Sequence, residues 1–228
     1  MPTNRRDFLQ QSAATAAAFS LGPLTKGELA AEPVLAPAVD PTIRAFELRM
    51  LKARPLPLQK VRVLDGPLKR AQDVTATYLL SLDPDRMMAH YRLRAGLPKK
   101  AEPYEGWDGG GRNLTGHIAG HHLSGVSLMY RAAGDARFKA RADYLVKEMQ
   151  EVQLKNGDGY LGALEGLREA FAAVSKGNIR SGGFDLNGLW SPWYTLHKTF
   201  AGLRDAYRHA SNATALALEI KYAAWAES

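Results

Sequence analysis

Met129-Tyr130-Arg131-Ala132-Ala133-Gly134-Asp135 is echoed 77 positions later by Ala206-Tyr207-Arg208-His209-Ala210-Ser211-Asn212. Each stretch closes a run with apolar residues at helical spacing and opens a second run of the same period. Ahead of the first, Leu114, Ile118, His121/His122, Val126 and Met129/Tyr130 recur every three to four positions from Asn113 on. Behind it, Phe138, Ala142, Leu145, Val146 and Met149 keep the period to Gln153. The pattern predicts two helical hairpins with tight turns and a long loop region between them. That is the signature of a helical toroid or solenoid. Hairpins of this kind bury their apolar faces only when stacked with about three or more neighbours. The last helix reads on to Trp225-Ala226-Glu227-Ser228 without a polar closing element. The expectation is therefore the front part of a longer protein; a small independent domain is the competing reading.

Upstream, Leu58-Gln59-Lys60-Val61-Arg62-Val63-Leu64 alternates and predicts a half-exposed strand. Asp65-Gly66-Pro67 predicts a helix to about Leu82, with the Asp65 side chain as cap and Pro67 early. Asp83-Pro84-Asp85 opens another, through Tyr91 to Arg94, ended by Gly96 and Pro98. Downstream, Asn156 to Gly162 is a glycine-rich loop and 164–176 a shorter helix. Ser181 to Gly188 reads as loop. Trp193 to Ala210 is a third long helix, with Ser191 as its cap and Pro192 in its first turn, and Thr214 to Trp225 a fourth. Pro33, Pro37, Pro41, Pro55 and Pro57 make 31–57 a linker with room for a short helix near 41–52.

The 228 residues carry 30 Lys+Arg against 23 Asp+Glu and no cysteine. Disulfides, a cysteine nucleophile and thiolate metal sites are excluded within these residues. The basic excess is scattered, with no stripe of the kind nucleic acid needs. No internal apolar run approaches the ~18 residues that would span a membrane. At the N-terminus, Arg5-Arg6, Phe8-Leu9 and an alanine-rich core through Leu21 read as a twin-arginine export signal over 1–30. The expected destination is the periplasm or the exterior.

Half of the six histidines fall in Gly116-His117-Ile118-Ala119-Gly120-His121-His122. His117 and His121 share a helix face. They could hold zinc, line a polar pocket, or sit satisfied in the core. The H-E-x-x-H pattern is not met, since Ile118 stands where Glu would be. Gly116 and Gly120 weaken a helix, which is reasonable where another backbone must come close. Trp190-Ser191-Pro192-Trp193-Tyr194-Thr195-Leu196-His197-Lys198 places three aromatics and an imidazole at a helix start. Rings beside hydrogen-bonding groups suit sugar faces and hydroxyls; helix packing is the plainer role for Trp193 and Leu196. Trp107 is either a lid or a packing group. Asp158 and Tyr160 lie in a glycine turn, where they either face a sugar or only make the turn. Glu102, Glu105, Asp108 and Asp158 are loop carboxylates, and spacing alone picks no pair among them for glycoside cleavage.

Several motifs in one order resemble glycoside hydrolase family 127, the β-L-arabinofuranosidases, and its relative family 146. They are Leu64 to Asp73, Tyr78 to Arg86, Gly116-His117 with Gly120-His121, Leu123-Ser124 with Met129-Tyr130, Gly157 to Gly162, and Trp190 to Lys198 followed by Ala201 to Tyr207. The resemblance covers 58–228. It implies an all-α fold: the N-terminal portion of an (α/α)6 barrel, preceded here by the export signal and the short strand. It implies retaining removal of terminal β-L-arabinofuranosyl residues from plant-derived arabinose-containing carbohydrate. It also implies a zinc-bound cysteine nucleophile with Cys and Glu ligands and a Glu acid/base. None of that centre maps onto this cysteine-free sequence, so no catalytic or metal residue is assigned and the chain alone is expected to be inactive. The resemblance places His197 in the sugar pocket. His121, Asp158, Tyr160, Tyr194 and Trp190 complete the expected binding set. His122 departs from the family's usual aromatic. Two other readings stay open: a non-catalytic helical sugar-binding or scaffold protein, and a different helical-toroid carbohydrate enzyme such as a lyase or epimerase.

Overall fold

A computed structural model describes residues 41–53, 56–109 and 114–228. The export signal and most of the linker's first half lie outside them. The described residues are mostly helical: α1 (Pro41–Met50), α2 (Pro67–Ser81), α3 (Pro84–Arg94), α4 (His117–Ala133), α5 (Ala136–Asn156), α6 (Leu167–Ser175), α7 (Pro192–Ala210) and α8 (Ala213–Glu227). The α4/α5 and α7/α8 pairs are the two hairpins that the repeat announces, and both turns use one design. Gly134 and Ser211 take left-handed backbone at the end of the first helix. Asp135 and Asn212 then accept from the amides of Arg137 and Ala215 to cap the second. The Asn212 amide also donates to Asp143 on α5 at 2.9 Å, which ties the second turn to the first hairpin.

The core lies between the hairpins and α3. Met87, Met88 and Tyr91 meet Leu123 and Val126, Phe138, Leu145 and Met149, and Leu203 and Tyr222. Each such side chain contributes about 1.5–3 kcal/mol on burial. One buried charge group is paired: Arg92 donates to Glu148 at 2.8 Å and Glu151 at 2.9 Å, and Lys100 caps Glu148 at 2.5 Å. The tightest approach is between α4 and α7. A methyl on Gly120 would collide with the Lys198 carbonyl, and one on Gly202 would lie 2.7 Å from the Gly120 oxygen. The helical glycine at 120 is thus explained by backbone contact, as its position in the histidine stretch suggested.

Four local expectations are corrected. Leu58–Lys60 is a single 3-10 turn followed by extended Val61, and no ladder forms there among the described residues. The alternating pattern had no neighbouring strand to pair with. The Asp65 side chain does not cap α2, whose N-cap is Gly66 at φ 147° with no side-chain bond. Ser191 stands at the N-cap of α7, yet its left-handed backbone leaves its hydroxyl without a capping bond. Its carbonyl accepts from Tyr194 at 3.0 Å instead. The stretch read as loop folds into a three-stranded antiparallel sheet, β1 (Ser181–Gly182), β2 (Asp185–Leu186) and β3 (Leu189–Trp190), pairing Gly182 with Asp185 and Asp185 with Trp190. Two-residue strands are too short to show a period.

Candidate functional site

The starts of α4 and α7 bring three of the singled-out side chains together, His117, His121 and Tyr194. His121 Nε2 and the Tyr194 hydroxyl share a hydrogen bond of 2.9 Å. The His117 ring lies 5.8 Å from that of His121 and 6.0 Å from that of Tyr194, centre to centre. The Lys198 ammonium sits 4.8 Å over the Tyr194 ring. Burial lowers the His121 pKa from its ordinary value, helped by the charges of Lys198, His117 and His197. His121 is accordingly neutral at pH 7, and its ring can both donate and accept. His197 and His121 are both exposed.

Beneath this group His117 is held firmly. Its Nδ1 lies 2.8 Å from the Leu114 carbonyl, which only accepts, so Nδ1 carries a proton and donates it there. Asp108, 2% exposed, stands 3.4 Å from the same nitrogen and accepts from the Gly116 amide at 2.8 Å. Gly116 has φ 97°, and a side chain there would strike Ala163 and Tyr91. Tyr91 closes the arrangement from below, donating to the Gly116 carbonyl at 3.0 Å and sharing a 2.8 Å bond with Thr199 of α7. Asp108 stood in the sequence only as one of four loop carboxylates and Lys198 only as the end of the Trp190 to Lys198 stretch, and spacing assigned neither a place in the site.

Trp190 closes β3 and meets Trp107 edge to face, ring centres 6.1 Å apart. Trp107 is exposed at the rim of an open groove of about 430 Å³ that also includes His117, His121 and His122.

Asp158 and Tyr160 belong to a different group. Arg168 of α6 ion-pairs with Asp158 and lies 4.0 Å over the Tyr160 ring. The bond to Arg168 holds the Asp158 carboxyl below its ordinary range. Tyr160 is buried against Trp225, ring centres 4.6 Å apart, and burial pushes its phenol up. Rings continue from Trp225 to Phe171 and on to Trp193, one residue short of Tyr194. No hydrogen bond among the described residues links Asp158 or Tyr160 to the imidazoles.

The model of the β-L-arabinofuranosidase GH127 catalytic domain matches residues 60–228. The chain belongs to that family. No curated protein matches the chain. Family 127 membership makes it a glycoside hydrolase family member with a helical catalytic fold, and a carbohydrate is the substrate class that membership supports. The zinc–thiolate centre that the family resemblance implies finds no fit in these residues. The sequence has no cysteine, and among the described residues no three His, Asp or Glu side chains converge. The imidazoles of His117 and His121 are already engaged with Leu114 and Tyr194.

Proposed function

We propose that residues 58–228 form the sugar-receiving part of an exported hydrolase that removes terminal β-L-arabinofuranosyl residues from plant-derived glycans. The nucleophile and its zinc come from outside these 228 residues, which by themselves bind sugar without cleaving it. The observation that carries this reading is the His121–Tyr194 hydrogen bond at an exposed helix–helix mouth, with the His117 ring beside it. A neutral imidazole and a phenol both donate and accept, as sugar hydroxyls require. The Tyr194 and Trp190 rings offer faces for ring C–H groups. His197 and Lys198 complete the rim. Asp158 and Tyr160 act one layer away, by fixing the turn that packs on α8; Gly159 there lies so close to the Lys221 carbonyl that a methyl would come within 2.5 Å.

The test is hydrolysis of an aryl β-L-arabinofuranoside by the intact protein, with and without a chelator. Release of arabinose that Tyr194→Phe weakens by raising KM supports the reading. No release from that substrate, with release from a different glycoside, sinks it. Export is tested separately by fusing residues 1–30 to a reporter. Periplasmic delivery lost on replacing Arg5 and Arg6 by Lys supports the twin-arginine route, and unchanged delivery contradicts it.

A further inference from the structure

The groove beside the imidazoles continues the mouth, since His117 and His121 line both. Its volume of about 430 Å³ falls in the range of small-molecule pockets, roughly 300–1,000 Å³. The rest of the lining mixes aliphatic side chains, Leu82 and Met87 among them, with groups that hydrogen-bond. Tyr78, Glu105 and Trp107 are exposed there. A sugar ring has the same two characters, apolar C–H faces and a polar rim. The fixed charge of the groove has one sign. Glu105 and Asp108 line it, and among the described residues no Lys or Arg does. Glu105 makes no ion pair among the described residues. Arg86 lies 4.1 Å over the ring of Tyr104, a lining residue, yet its guanidinium is spent on the carbonyls of Glu102 and Pro103. Asp108, 2% exposed, uses Oδ1 on Gly116 and has no partner for Oδ2. His122 is 4% exposed with both ring nitrogens unpartnered. Burial, with Arg141 nearby, brings its pKa down to about 4, so it adds no positive charge at pH 7.

We infer that this groove receives the second sugar of the glycan and selects a neutral sugar over a uronate, with Glu105 as the residue that discriminates. Ring C–H groups meet Trp107, and hydroxyls donate to the Glu105 carboxylate, which only accepts. Bonds of that kind, to an ionised acceptor, are the stronger ones. A carboxylate on the same sugar has no proton to donate and would face Glu105 with like charge. It would also give up water with no cation in the described lining to replace it. Lys198, the cation of the mouth, is not in that lining. The place of this sugar as the leaving group rests on the hydrolase reading above; the discrimination by charge does not.

The probes are methyl β-D-galactopyranoside and its uronate, which differ only in carrying a hydroxymethyl or a carboxylate on the ring. They are titrated into the intact protein with nitrogen-15-labelled tryptophan, and Trp107→Phe identifies the Trp107 indole resonance by its loss. The expected result is a saturable shift of that resonance by the galactoside and binding of the uronate about tenfold weaker at low ionic strength. Glu105→Gln, an isosteric change at an exposed position, should bring the two probes within about threefold of each other. Salt at ~1 M, where the Debye length is about 3 Å, should narrow the gap in the unaltered protein and provides a reading that needs no variant. Uronate binding as tight as that of the galactoside, a gap that Glu105→Gln leaves unchanged, or a Trp107 resonance that neither probe moves overturns the assignment. No arabinose is present in this titration, and the aryl arabinofuranoside carries no second sugar. Failure of the arabinofuranosidase reading therefore shows in hydrolysis with galactoside binding intact, and failure of the groove shows in the titration alone.

Discussion

The mouth between α4 and α7 and the turn around Asp158 are built from the same kinds of residue. Each has a carboxylate, aromatic rings, a cation over a ring and a glycine pressed against another helix's backbone. They differ in whether the charges are spent. Around Asp158 the guanidinium of Arg168 pairs with the acid and covers the Tyr160 ring, so the acid's charge is met within the chain while both groups stay partly exposed. At the mouth the acid held against His117, Asp108, is turned inward onto a backbone amide, while the His121 imidazole and the Tyr194 phenol face outward. A binding surface is distinguished from a structural turn by unspent hydrogen-bonding capacity rather than by residue type.

Four measurements sharpen this contrast. The largest effect is expected at the helix crossing. Gly120→Ala drives a methyl into the Lys198 carbonyl and should lose ~3 kcal/mol or more in urea unfolding. Gly182→Ala, with open space around it, should change stability very little. Second comes acid titration. The His122 pKa falls from 6.5 to about 4 on folding, so its contribution is full above pH 6.5 and is lost as pH falls toward 4, by roughly 3 kcal/mol. His122→Phe should flatten that stretch of the stability curve; an unchanged curve contradicts the burial argument. Third, Tyr194→Phe should weaken L-arabinose binding about tenfold by calorimetry, whereas Asp158→Asn should leave it unaltered. Equal losses in the two variants would erase the distinction between the regions. The smallest effect is at Arg168. Arg168→Met should cost at most ~1 kcal/mol, since both partners are more than a third exposed. The Asp158 carboxyl is depressed on folding, so its contribution is present above the ordinary carboxylate value and lost as pH falls below it. The variant should remove that loss, at lower pH than the His122 window.

The helical frame was legible because its signals are local. The period of apolar residues set α4, α5, α7 and α8, and Gly134-Asp135 and its echo at Ser211-Asn212 marked both turns. Helices open where expected at Asp83 and Asp135, and both side chains cap them. Asp65 and Ser191 did not cap, because a cap depends on the backbone angles of the residue as well as its type. In the site, the helical spacing of His117 and His121 showed that they share a face. Their meeting with Tyr194 rests on a crossing of distant segments, on which spacing along one helix does not report. Asp158 paired with Arg168, ten residues away across a loop and a helix start, where no periodicity reports on contact. The orphaned atoms of His122 and Asp108 are a property of packing alone.

The crossing at Gly120 fixes the width of the mouth between α4 and α7. His121 and Tyr194 ride on helices that touch main chain to main chain within a turn of both residues. Their spacing is set like the jaws of a calliper with a hard stop, independent of how neighbouring side chains repack. Altering which rings fit between them therefore calls for changing jaw length, through the side chains at 121 and 194, because the jaws cannot be brought closer.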